Sequence, residues 1–350
     1  MKEDEIKMKK TVVALEDAVG KILSHDVTRI TRLGKYKGTL FKKGHVIHKR
    51  DLKELRKIGR EHIYILEIEQ GELHEEEGAQ RLATAVSDDN LKIQTPSEGS
   101  APILAQKDGV LKVDVNRLQR INEIDGLGVA TQHTDRLVKA GEKVAVAKIF
   151  PLIIEEEKVN QAAEICRNGG PIISIMPLAK MKVGLIVTGN EVYHGLVKDE
   201  FGPVMKKKIR RLGSTVSRLV YVPDDPERIV REISKMKQEG VDLVIATGGM
   251  AVDPDDVTLR SALEAKAVVE KYGSPVQPGF MFMISYLDET PLLGIPACAM
   301  YYDTTVLDLV LPRILAGEHL TRKDIVALGH GGLCLKCEVC NYPTCPFGRG

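Results

Sequence analysis

The sequence contains no tryptophan, and aromatic residues make up only 4% of it. Proteins that hold single-stranded nucleic acid stack its bases on aromatic side chains, so no such platform is expected. An excess of charge of one sign is missing as well. Fifty Lys and Arg face 49 Asp and Glu, a net of +1, whereas a general nucleic-acid binder carries a basic excess. No nucleic-acid partner is expected. No apolar run reaches the roughly 18 residues that would span a bilayer. The opening MKEDEIKMKK has no apolar stretch of the kind that marks an export signal. The expectation is a cytoplasmic chain with no membrane partner. Cysteine is scarce over most of the length. Cys166 and Cys298 stand alone, and Cys334, Cys337, Cys340 and Cys345 crowd the end. Clustered cysteines without an export signal point to metal binding before disulfides.

A chain of 350 residues has room for two or three domains. Residues 1–94 read as a small α+β unit. DLKELRKIG is a helix with an Asp start and a Gly stop, HIYILEIE is a strand, and ELHEEEGAQRLATAV is an amphipathic helix with an acidic first turn. TPSEGSAP, residues 95–102, is rich in turn formers and reads as a linker. Residues 95–178 follow as a β-rich module, in which Lys-Ala-Gly-Glu-Lys is the turn of a hairpin. From 179 to 318 strands and helices alternate, which predicts a three-layer α/β/α domain. ACAMYYDTTVLDLVLPRILAG is read as its last helix. Residues 319–350 form a Cys-rich tail.

Two segments of the α/β domain share a build. VGLIVTGNEV and VDLVIATGGMAVDPDDVT each run from a β-branched apolar strand into Thr-Gly and then a loop with acidic residues. Each reads as a buried parallel strand, and in open α/β sheets ligands bind at the edge where such strands end. Thr188, Gly189, Asn190 and Glu191 form the first candidate loop. The Thr hydroxyl and loop N–H groups can hold an anion there, and Glu191 can take ligand donors or a hydrated metal. Thr247, Gly248, Gly249, Asp255, Asp256 and Thr258 form the second, where backbone donors can cradle a phosphate. Its carboxylates need Mg²⁺ or a lysine to tolerate that phosphate. Pro296 and Cys298 open a third loop at the same edge. The bland alternative is a set of tight strand-to-helix turns with a solvated Glu and a buried Cys. Lys206, Lys207, Lys208, Arg210 and Arg211 fan around a helix and read mostly as a solvated face. Of the histidines only His194, just past Glu191, merits a test, and no Ser/His/Asp triad is legible.

The tail spacing Cys334-x₂-Cys337-x₂-Cys340-x₄-Cys345-Pro346 resembles an iron–sulfur run. Four cysteines can also hold Zn²⁺ tetrahedrally. An iron–sulfur cluster is slightly favoured, because zinc sites usually separate two Cys pairs more widely.

The domain from about 180 to 318 resembles the molybdopterin-binding domain of MoeA-like and MogA-like molybdenum cofactor proteins. The family's strand followed by T-G-[DNS]-E is met by Thr188, Gly189, Asn190 and Glu191. Its T-G-G-x-[GS] with a later D-[VY]-T is met by Thr247, Gly248, Gly249, Asp256, Val257 and Thr258. Its third, Pro-rich loop is partly met by Ile295, Pro296, Ala297 and Cys298, with Ala297 where the family has glycine. Ala251 and Asp255 depart from the second loop's pattern. The resemblance implies molybdopterin or its adenylylated form as ligand, with Mg²⁺ and molybdate as co-ligands. It implies a transferase role, with Asp256 and Glu191 as the catalytic candidates. It also implies self-association, and leaves two other readings open. One is a non-catalytic carrier or sensor serving a molybdoenzyme client. The other is a nucleotide-pyrophosphate hydrolase, since competence-damage-like proteins share the fold.

Overall fold

The structure, a computed structural model, describes residues 10–30, 37–249 and 257–349. Its N-terminal unit has a three-stranded antiparallel sheet in which His62–Leu66 lies between Lys10–Ala14 and Ile22–Leu23. A hairpin, Val27–Ile30 with Lys37–Phe41, and a helix, Asp51–Lys57, complete it. Leu15, Leu23, Ile47, Leu55 and Ile65 fill its core.

The second unit begins earlier than the sequence indicated. One continuous core runs from Leu73 to Ile175 and includes Leu82 and Val86 of the helix Glu75–Val86. The boundary expected at 94/95 therefore falls inside a packed body. Strand Leu91–Ile93 pairs with Ser100–Ala105, and the expected linker is the tight turn between them plus the start of the second strand. Turn-rich composition marks a hairpin as readily as a linker, and only the pairing partner decides. The Lys-Ala-Gly-Glu-Lys turn is not a hairpin. Arg136–Val138 before it pairs with Gly109–Val113, whereas Lys143–Ile149 after it belongs to a different, four-stranded sheet.

The third unit is the α/β domain the alternation predicts. Its elements are β1 (Lys182–Thr188), α1 (Asn190–Tyr193), α2 (Phe201–Arg211), β2 (Thr215–Val222), α3 (Pro226–Gln238), β3 (Leu243–Thr247), α4 (Thr258–Glu264), β4 (Val268–Tyr272), β5 (Met283–Leu287), β6 (Thr290–Ile295), α5 (Cys298–Tyr301), α6 (Val306–Leu315) and α7 (Arg322–Ala327). The sheet runs in the order β2-β1-β3-β6-β5-β4. The first four strands of that order are parallel, and β5 and β4 close the edge antiparallel. All residues of β1 after Lys182 are buried, as expected of a strand covered on both faces. Leu185 and Ile245 pack on one face with Met205 and Ile209 of α2 and Val310 of α6. Ile186, Val244 and Ala246 pack on the other with Ile229 and Ile233 of α3 and Ala262 of α4. That is the three-layer arrangement.

The long helix expected from 297 is two helices. Thr305 Oγ1 accepts from Leu307 N at 3.3 Å while Asp308 Oδ2 accepts from Thr305 N at 2.8 Å. This capping box starts α6 afresh and turns the chain. Replacing Thr305 with alanine is expected to lower stability by about 1 kcal/mol, read as a drop in the urea midpoint at unchanged m value. No drop would mean the cap does not set the break.

The tail is not a separate segment. Leu320, Ile325 and Phe347 are buried in the same core as α6, and Tyr342 Oη donates to Asp308 O at 2.8 Å. Burial and the nearby Asp308 push the Tyr342 phenol well above its usual range. Among the described residues, no helix is long and apolar enough to cross a membrane.

Candidate functional site

The three loops singled out in the sequence follow β1, β3 and β6, which are neighbours in the sheet. Val187 sits opposite Thr247, and Thr247 opposite Ile295, so the strands end level with one another. Gly189, Gly248 and Pro296 therefore lie along one rim. Contact between the first two loops is tight. A Cβ added at Gly248 would lie 2.6 Å from the carbonyl oxygen of Thr188 and 2.5 Å from its Oγ1, and Gly248 has φ +93°. Only glycine takes that backbone and that approach without strain.

The threonines help hold this arrangement. Thr188, Thr247 and Thr258 are all buried. Thr188 Oγ1 donates to Thr247 O at 3.2 Å, Thr247 Oγ1 to Ile186 O at 3.5 Å, and Thr258 Oγ1 to Gly248 O at 2.8 Å. Each hydroxyl proton is spent on a main-chain carbonyl, because a buried hydroxyl without a partner is costly. In this structure the three hydroxyl protons are directed at the main chain. Two loop N–H groups are also committed. Gly189 N donates to Val222 O at 3.3 Å, and Asn190 N to Asp224 Oδ2 at 3.1 Å.

Asn190 and Glu191 are exposed at the start of α1. The Glu191 carboxylate turns back over the loop, with Oε2 3.6 Å from where a Gly189 Cβ would stand. Asp224 joins them. Its N–H reaches Asn190 Oδ1 at 3.3 Å, so Asn190 and Asp224 bond each other twice. The sequence reading missed Asp224. Its signal was the end of a parallel neighbour strand, YVPDD, which must arrive at the same edge. Asp255 and Asp256, together with Asp253 and Ala251, lie outside the described residues. Val257 and Thr258, which follow them, are anchored against Gly249, whose absent Cβ would meet Val257 N at 3.2 Å.

Pro296 is buried and Ala297 exposed in the third loop. Burial pushes the Cys298 thiol up, which disfavours a thiolate nucleophile there. His194 is exposed and meets Tyr193 edge-on at 5.2 Å. Of the basic run on α2, Lys208 is engaged. Its Nζ lies 2.8 Å from both carboxylate oxygens of Asp308 and 2.6 Å from Asp303 O. Lys206, Lys207, Arg210 and Arg211 are exposed, in keeping with a solvated face.

Among the described residues no three His, Cys, Asp or Glu side chains stand close enough to hold one metal ion. Glu191 and Asp224 do not by themselves make a Mg²⁺ site, and no step is assigned to that ion. The tail cysteines are all free thiols. Cys334 and Cys345 are half-buried against the core, and Cys337 and Cys340 are exposed.

A doubly wound domain with glycine turns and polar loop ends on one rim defines a ligand-binding α/β domain. Parts of the chain are similar to known proteins. Residues 184–316, under half of the chain, match the family described as "Probable molybdopterin binding domain". Residues 12–67 match a domain of unknown function, DUF8806. Among curated proteins, a CinA-like protein of Mycobacterium tuberculosis is 32% identical over 79 residues, 23% of this chain and 18% of that one. A protein of Archaeoglobus fulgidus is 34% identical over 94 residues, 26% of this chain and 41% of that one. The match thus spans less than a fifth of the CinA-like relatives' length. Solved structures with similarity include the molybdopterin biosynthesis enzyme MoaB of Thermus thermophilus, at 18% identity, TM-score 0.32, 39% of this chain and 98% of that one. The molybdopterin biosynthesis MoeA protein of Pyrococcus horikoshii covers 88% of this chain and 75% of its own, at 14% identity and TM-score 0.34.

Proposed function

We propose that the domain binds molybdopterin or its adenylylated form across the ends of β1, β3 and β6, and that the protein acts in molybdenum cofactor maturation by inserting molybdate or adenylylating the pterin. The observation that carries this reading is the seat of Gly248 against Thr188, which brings two glycine turns together on one rim. Glycine main chain admits a phosphate closely. Asn190, Glu191 and Asp224 present the mixed donors and acceptors that a pterin edge needs. In this reading Glu191 and Asn190 orient the heterocycle, and the buried threonines keep the turns in register. Any Mg²⁺ would draw on the acidic run 253–256. A molybdoenzyme client and self-association are carried by family analogy.

The test is to incubate the protein with molybdopterin, adenylylated molybdopterin, ATP, Mg²⁺ and molybdate. Turnover supports the enzyme, and tight stoichiometric binding without turnover supports a carrier. Cleavage of an unrelated dinucleotide supports the hydrolase reading, which the similarity to CinA-like proteins keeps in play. Glu191→Gln is expected to weaken pterin binding about tenfold, the loss of one charge-assisted hydrogen bond. Unchanged affinity in an equilibrium titration would remove Glu191 from the site.

A further inference from the structure

The tail folds its four cysteines around a space. Cys334, Cys337, Cys340 and Cys345 all line one cavity of about 290 Å³, whose opposite wall is Tyr301–Thr304. The surrounding chain is well anchored. Cys334 N donates to Gln277 O at 2.8 Å, Gly348 N donates to Gly331 O at 2.9 Å, and Cys340 Sγ lies 3.1 Å from Thr304 Oγ1. Lys336, between the first two cysteines, has φ +53°, the turn that brings Cys337 back toward Cys334. Leu333 and Leu335 form an exposed apolar rim, each more than 60% accessible.

Four soft thiols around one space select zinc or an iron–sulfur cluster. Spacing separates the two. A single Zn²⁺ usually draws on two more widely separated Cys pairs, whereas Cys334-x₂-Cys337-x₂-Cys340 with Cys345-Pro346 has the close spacing of an iron–sulfur run. A cluster held by four thiolates fills the space between them. We propose that Cys334, Cys337, Cys340 and Cys345 ligate an iron–sulfur cluster seated in this cavity, against the segment that continues from the Pro296–Cys298 loop. The apolar rim would limit water at the sulfurs, a known determinant of cluster potential. This inference does not depend on the identity of the ligand at the sheet edge.

The test is metal and acid-labile sulfide analysis of the full chain, purified anaerobically and again after reconstitution with iron and sulfide. Iron and sulfide in equal amounts, roughly two to four of each per chain, with broad visible absorption, are expected. Cys337→Ser and Cys340→Ser change exposed residues, so the fold should persist by circular dichroism while most of that absorption is lost. Cys166→Ser, buried in the second unit, should retain it. One zinc per chain without sulfide would overturn the proposal. So would a disulfide-bonded tail, or serine variants that keep their full iron.

Discussion

Gly248→Ala is expected to lower stability by about 2–4 kcal/mol and to abolish ligand binding at the sheet edge. Two effects add. The left-handed backbone at φ +93° costs a non-glycine residue about 1–3 kcal/mol. The new methyl also presses on the Thr188 carbonyl, a main-chain atom at the end of a central strand that cannot rotate away. Relief requires β1 and β3 to part at the rim, which pulls both loops out of register. Gly240→Ala is the control. It has φ +71° with nothing within 4 Å of the added carbon, so only the left-handed backbone cost of roughly 1–2 kcal/mol applies. Chemical denaturation of the two variants, together with a pterin titration, measures the difference. Equal losses at both positions would show that the two loops do not press on each other.

Arg313→Met is expected to cost about 3–5 kcal/mol, because removing one member of a buried charge network strands the rest. Arg313 sits at the end of α6, 7% exposed. Its Nη2 lies 2.8 Å from Glu318 and 3.0 Å from Asp324, and its Nη1 is 3.6 Å from Asp135 of the second unit. Lys112 of strand Gly109–Val113 bonds both Asp135 and Glu318, at 2.8 Å for the latter. The network thus fastens the β-rich unit to the α/β domain. Lys112→Met should cost less, since Lys112 is partly exposed and Arg313 still neutralises the acids. The pH dependence carries the same signature. Burial raises the Glu318 and Asp324 carboxyls, but hydrogen bonds and the Arg313 charge outweigh it, and both end below their usual range. A depressed carboxylate contributes stability above its unfolded value of about 4 and loses it as pH falls through the folded one. Wild type should therefore lose stability below about pH 4. The Arg313 variant should show a flatter acid limb. An identical slope in both would place the carboxylates outside Arg313's influence.

Legibility followed how local each signal is. VGLIVTG and VDLVIATGG announce buried parallel strands because both faces of each are apolar, and the Thr-Gly ends mark where the chain must turn. Asp224 was not legible, since its role comes from β2 lying beside β1 in the sheet. The Thr305 capping box was present in the letters, yet the apolar run across it read as one helix. The break depends on Asp308 folding back onto its own turn while Lys208 of α2 approaches it.

By itself the sequence determined the alternation of strands and helices from 179 onward, the two glycine turns, and the clustering of four cysteines at the end. Each of those depends on residues within a turn or two of one another. Only the tertiary structure decided that the buried threonines bond main-chain carbonyls, that residues 73–175 share one core, and that the tail closes around a cavity on the α/β domain. Those outcomes depend on which segments meet, and long-range packing is written in no single stretch of chain.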